Sequence, residues 1–193
     1  MTVSDERWNK IAPEEIAEVW EDYYPSPYKT SFRMVHCENG ITLKLSTTEW
    51  PLRVECTSRN LEVCEDSCME FFLTPNTMDK DYLNIEINAV GISLVGIGEG
   101  RAGRKKLNIA GTGFKIETLI HPEEGWELMY FIPFSFLEKY FTSHDKTMRA
   151  NFYKIGNSTA HRHFSTWTRL DIEMPDFHRP EFFGEIILSD ESL

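Results

Sequence analysis

The sequence lacks any apolar run long enough to cross a bilayer. Its longest stretches, such as Tyr130-Phe131-Ile132-Pro133-Phe134, last a few residues, where a helical span needs about 20. Basic residues are also in deficit. Lys and Arg number 20 against 31 Asp and Glu, a formal net charge of -11, and so acidic a surface repels phosphate backbones, so no nucleic-acid partner is expected. The start, Met-Thr-Val-Ser-Asp-Glu-Arg-Trp, has no basic stretch, apolar segment or cleavage site of a secretory signal, so the expected location is the cytoplasm. Only Cys37, Cys56, Cys64 and Cys68 carry thiols. Cys64 and Cys68 have the wrong spacing for a CxxC half-site, and in a reducing compartment all four read as free thiols. No internal repeat, low-complexity tract or interdomain linker stands out. The expectation is one domain over 1–193, with 1–27 as an N-terminal extension packed on it.

What is present is alternation. Ser31–His36 and Ile41–Ser46 alternate with Asn39-Gly40 between them, a hairpin signal in which both turn residues tolerate positive φ. Further period-two runs cover Ser67–Thr74, Tyr82–Ala89, Ile92–Val95, Phe114–Ile120, Trp126–Ile132, Arg149–Ile155 and Glu185–Leu188. Helical signals are confined to Pro13–Trp20, where Pro13-Glu14-Glu15 resembles a first turn, and to Pro133–Tyr140. Many short strands without repeated helical crossovers predict an all-β chain. The fold class is a two-sheet antiparallel β-sandwich with one or two short peripheral helices. The stretch Arg162–Gly184 is long for a loop, and its aromatics argue against disorder.

The segment Tyr82–Ala89 is the most informative. Leu83, Ile85, Ile87 and Ala89 share one face; Tyr82, Asn84, Glu86 and Asn88 share the other. Asn is disfavoured in strands, so two on one face suggest that their paired donor and acceptor are in use. Glu70 is an isolated carboxylate among apolar residues, and Arg149, Asn151 and Tyr153 alternate with Ala150 and Phe152. If the three strands share a sheet, Glu70, Asn84, Glu86, Asn88, Arg149, Asn151 and Tyr153 line one polar surface. Amides, carboxylates and a guanidinium beside aromatic rings suit a saccharide, with Trp167 and Phe177 in the long loop as stacking rings. The competing readings are a hydrated face, and for the two rings, packing anchors.

Other patterns carry less. Gly98-Glu-Gly100-Arg-Ala-Gly103 matches GxGxxG but is followed by more loop, not by the helix a dinucleotide site requires. Arg101, Arg104, Lys105 and Lys106 read as a solvated run or an anion contact at the rim. His161, His163, Asp176 and His178 lack metal-site spacing. No cofactor is required; calcium is the cation the carboxylates would suit, although no EF-hand-type loop exists.

Taken in order, Asp66-Ser67-x-x-Glu70-Phe71-Phe72, Ile85-Glu86-Ile87-Asn88, Arg149-Ala150-Asn151-Phe152-Tyr153 and Pro175-Asp176-Phe177-His178-x-Pro180-x-x-Phe183-Gly184 resemble carbohydrate-binding module family 9, within the DOMON-like sandwiches. The resemblance spans about Ser31 to Leu188. It implies non-catalytic recognition of mono- or oligosaccharides, in the service of carbohydrate utilisation, with Glu70 accepting from a sugar hydroxyl, Asn88 as the strand amide and Phe177 as the aromatic platform. Two departures stand out. Such members commonly clamp the sugar between two Trp rings, whereas Phe177 and Val63 occupy those places here, and Glu86 stands where they carry a basic residue. Two alternatives follow: a glycoside-processing enzyme using Glu70 and Glu86 as its carboxyl pair, or a protein-interaction sandwich that has lost sugar binding. The sequence names no protein partner.

Overall fold

The computed structural model describes residues 8–189. Among these residues twelve strands lie in two antiparallel sheets. The first holds β1 (Glu14–Glu15), β2 (Thr30–Cys37), β3 (Gly40–Thr47), β9 (Gly125–Pro133) and β8 (Lys115–His121), in that order. The second runs β11 (His163–Thr166), β10 (Thr147–Gly156), β4 (Cys68–Thr74), β5 (Tyr82–Asn88), β6 (Ser93–Gly98) and β7 (Lys105–Lys106). Strand β12 (Gly184–Ile187) pairs with Thr147–Ala150 of β10, while β11 pairs with Tyr153–Gly156, so the two lie end to end along one edge of β10. A single turn of helix, α1 (Phe134–Leu137), follows β9, and 3-10 turns occupy Val63–Glu65 and Pro180–Phe182.

Alternation sorts the side chains as expected. Leu43, Leu45, Leu128 and Tyr130 of the first sheet meet Met69, Phe71, Leu83, Ile85 and Phe152 of the second in a continuous apolar core. Phe32 of β2 stacks on Phe152 of β10 across the sandwich, ring centroids 3.6 Å apart.

Two local expectations are corrected. Pro13–Trp20 forms no helix: Glu14 and Glu15 pair with Phe32 and Ser31, and Ile16 is buried in the core beside them. An available sheet edge and one apolar anchor outweigh the local helix signal. The hairpin turn is Glu38-Asn39, not Asn39-Gly40; Gly40 is already paired with Cys37. Glycine is needed there for space, because a Cβ would collide with the Ile132 carbonyl oxygen and the Phe131 ring.

Between the sheets, at one end, sits an ionic group the sequence did not announce. Lys154 and Glu49 are wholly buried and paired at 2.9 Å. The Lys154 ammonium's other two protons go to the Ile155 carbonyl at 2.9 Å and His163 Nε2 at 2.8 Å, and the Cys68 carbonyl lies a longer 3.3 Å away. Trp126 Nε1 donates to the same Glu49 carboxylate at 3.0 Å. Burial and the neighbouring ammonium push His163 down to about 4, so it is neutral at pH 7. Its Nε2 accepts from Lys154 and its Nδ1 donates to the His161 carbonyl at 2.6 Å.

Candidate functional site

The outer face of the second sheet is not a solvated surface. The segment 53–67 and the loop 167–183 fold over it, and a second apolar cluster fills the gap, including Trp20, Val63, Phe72, Tyr82, Tyr153, Phe177 and Phe183. The pairing register places Tyr153, Glu70, Glu86 and Leu94 in one row across β10, β4, β5 and β6. The next row reads Asn151, Phe72, Asn84 and Gly96.

Glu70 and Glu86 are therefore direct cross-strand neighbours, 3% and 7% exposed. Glu86 Oε1 accepts from Asn84 Nδ2 at 2.8 Å. Among the described residues no side chain or backbone group donates to the Glu70 carboxyl. The buried polar atoms lacking both a partner and solvent access are Trp8 Nε1, Glu49 Oε1, Ser93 Oγ and Ser165 Oγ. Glu70 is not among them, so the little exposure it has lies at its carboxyl oxygens. Burial, then its neighbour's charge, holds the Glu70 carboxyl well above the usual carboxylate range. Burial raises Glu86 to about 7 against the downward pull of the Asn84 hydrogen bond. Cys64, half-buried at the rim, is pushed up by burial and by both carboxyls.

The rim on one side is built by the β6–β7 connection. Arg104 has its guanidinium carbon 4.1 Å from the Tyr82 ring centre. Its Nε donates to Asn84 Oδ1 at 2.8 Å, Nη1 to the Gly98 and Gly100 carbonyls, and Nη2 to the Tyr82 and Gly96 carbonyls. Arg101 joins Asp176 of the covering loop at 2.8 Å. Tyr82 Oη lies 2.6 Å from His178 Nδ1. Burial raises Tyr82 to about 12 and lowers His178 to about 4, so the phenol donates to a neutral ring.

The other nominated residues have different employment. Asn88 donates to Asp66 and the Cys56 carbonyl and accepts from Ile92 and Val90, tying down the segment before β4. Asp66 itself accepts from Arg53, the Glu55 and Cys56 amides and Asn88. The Asp-Ser of the D-S-x-x-E motif is thus scaffold for the loop beside Glu70. Asn151 accepts from Thr166 and Thr168 and Arg149 donates to the Glu181 and Phe183 carbonyls, fixing the two ends of the covering loop. Tyr153 donates to the Phe177 carbonyl, and its ring stacks on Phe177 at 4.1 Å. Phe177 lies buried between Tyr153 and Trp20, so it presents no open ring face. Trp167 packs against Phe32 and Phe152 on the core side of the sheet, away from Glu70. Both aromatic expectations are corrected toward packing: the loop needs apolar anchors to be held closed.

Sequence reasoning brought Glu70, Asn84 and Glu86 together and missed the roles of Tyr82, Arg104, Arg101, Asp176 and His178. The legible signal for Arg104 was the pair Gly96 and Gly98, two bare positions on one strand face where the guanidinium lies. His163 and His178 are held by Lys154 and Tyr82, and among the described residues no cluster of three or more His, Cys, Asp or Glu is placed to hold a metal ion.

These features define a β-sandwich module with one polar face roofed by loops. The family model for carbohydrate-binding family 9 matches residues 5–188, and the chain belongs to that family. A Bacteroides uniformis protein provisionally described as carbohydrate-binding is 32% identical over 95% of this chain and 88% of its own, with a TM-score of 0.83. Two structures of a carbohydrate binding module family 9 from Caldicellulosiruptor kristjanssonii, one with glucose and one with cellotriose, share the fold. They have TM-scores of 0.68 and 0.67 at 14% and 15% identity, over 99% of this chain and 90% and 88% of theirs. No curated protein matches.

Proposed function

We propose that the carbohydrate binding of this family is performed here by the Glu70–Glu86 face, without catalysis, on a mono- or oligosaccharide, in the service of carbohydrate utilisation. The observation that carries the reading is Glu70: a carboxyl 3% exposed, with no donor in the protein among the described residues and only slight access to solvent. A buried polar group left unpaired is costly, and sugar hydroxyls both donate and accept, so they can satisfy it. The glucose and cellotriose bound by the Caldicellulosiruptor module indicate the ligand class to try first. In this reading the segments at 62–64, 99–104 and 176–178 border the sugar, and Phe177 and Trp167 hold the frame.

The test is a glycan array followed by calorimetry with the best ligand, using wild type and Glu86→Gln. Binding by wild type, weakened at least about ten-fold by Glu86→Gln, supports the site, since a hydrogen bond to a charged group is worth about 1.5–3 kcal/mol. Unaltered affinity in that variant removes it. Release of reducing ends from the bound oligosaccharide points instead to hydrolysis.

A further inference from the structure

We infer that Arg104 is the positioning residue of this site: by holding the Asn84 amide in one orientation it makes Glu86 the acceptor of the carboxyl pair and leaves Glu70 as the member that keeps a proton and donates. The inference rests on the saccharide reading above and adds a division of labour to it.

The argument begins with donor arithmetic. A guanidinium has five N–H donors in a fixed plane, and Arg104 has five acceptors: Asn84 Oδ1 and the carbonyls of Tyr82, Gly96, Gly98 and Gly100. With all five committed and one face over the Tyr82 ring, Arg104 has no donor to spare for a ligand. Its role is to act through Asn84. An amide has an oxygen that only accepts and a nitrogen that only donates. Arg104 Nε takes the oxygen, so the nitrogen must point the other way, and it donates to Glu86 Oε1 at 2.8 Å. The same geometry accounts for a bare position on β6. Gly96 is the cross-strand partner of Asn84, and a Cβ there would lie 2.6 Å from Asn84 Oδ1. Gly98 and Gly100, which formally resembled a phosphate loop, supply carbonyls to the guanidinium instead.

The consequence falls on two carboxyls that cannot both ionise cheaply side by side. Glu86 receives a donor and the nearby guanidinium's charge; the Glu70 carboxyl receives no donor among the described residues. The other charged and titratable groups around the pair do not reverse this. Lys106 beyond β6 favours the charge on Glu86 and Glu62 opposes it; Arg101 and the buried Lys154 favour a charge on Glu70, but burial and the Glu86 charge outweigh them. Cys64 and Tyr153, both raised, stay neutral beside them. Above pH 7, where Glu86 has lost its proton, a sugar at this face meets one charged acceptor and one neutral hydroxyl donor.

The test titrates the Glu carboxyl carbons by nuclear magnetic resonance in the sugar-free protein, assigned with Glu70→Gln and Glu86→Gln. Glu86 should titrate below Glu70. Arg104→Lys, which keeps the charge and loses the planar fork, and Gly96→Ala, whose Cβ would lie 2.6 Å from Asn84 Oδ1 and in ordinary contact with Arg104 Nε at 3.6 Å and so displaces the Asn84 amide, should each raise Glu86 by at least about one pH unit. A Glu86 titration unmoved in both folded variants overturns the inference. With the best array ligand at pH 8, where Glu86 is charged, Glu86→Gln should fall at least about ten-fold and Glu70→Gln clearly less, because an amide at position 70 still donates. The reverse order overturns the division. If no saccharide is held by wild type while both variants still move the Glu86 titration, the saccharide reading fails and the Arg104 relay stands.

Discussion

Glu70 and Glu86 face each other across adjacent strands, and among the described residues only the Glu86 carboxyl has a hydrogen-bond donor. This asymmetry has a thermodynamic signature. Burial raises the Glu86 carboxyl to about 7 from 4.5, so between those values the folded chain holds a proton that the unfolded chain releases. Stability from this group therefore falls as pH rises through that window. Glu86→Gln removes the falling contribution. Its melting temperature relative to wild type should climb from pH 4.5 to pH 7.5 and then level. Calorimetry across that range checks it, and a difference that stays flat with pH would sink it.

Two histidines, buried His163 and half-buried His178, act in the opposite sense. His163 and His178 are both lowered to about 4 by burial and neighbouring cations. The unfolded chain takes up their protons near 6.5, so their contribution is present above that value and is lost as pH falls toward 4. Below pH 4, protonation of His178 removes the acceptor for Tyr82. Ring-nitrogen chemical shifts should show both rings neutral at pH 5.5, a pH at which an ordinary histidine is mostly charged.

Glu49 and Lys154 make a sharper case for burial. Removing one member leaves a charge stranded in the core, so Glu49→Ala or Lys154→Met should each cost about 3–5 kcal/mol. The double substitution should cost less than the sum of the two. Denaturant unfolding of the four proteins in the cycle measures this, and strict additivity would show that the pair is not coupled.

Phe177 and Trp167 should behave as packing residues. Phe177→Ala opens a cavity beneath the covering loop and should lower stability by about 3–5 kcal/mol. Any loss of saccharide affinity should track the unfolded fraction. An unchanged melting midpoint with lost binding would return Phe177 to the role of sugar platform.

How much of this was written in the chain depends on the range of the interaction. The period-two pattern of Leu83, Ile85 and Ile87 against Asn84 and Glu86 is a local property, and it assigned both faces of β5 correctly. The two-residue strands β1 and β7 have no period to read, and β1 was mistaken for a helix because Glu14 and Glu15 look alike in either setting. Polarity also does not say which partner a side chain will choose. Asn88, Arg149, Asn151 and Tyr153 point to the predicted side, yet their hydrogen bonds go to the loops that roof the sheet. The Lys154–Glu49 pair joins distant segments, and nothing near either residue marks it.

The end-to-end docking of β11 and β12 on one edge of β10 bears on how such a module diversifies. The roof over the carboxyl pair leaves β10 opposite Tyr153 and returns opposite Ala150, so its two feet stand on the same strand. A change of length between the anchors Trp167, Phe177 and Phe183 leaves those feet and the pairing of both sheets in place, since each doubling of a flexible stretch costs only about 0.6 kcal/mol in closure. Residues 167–183 thus hang from one strand, pinned at a few apolar points and variable between them.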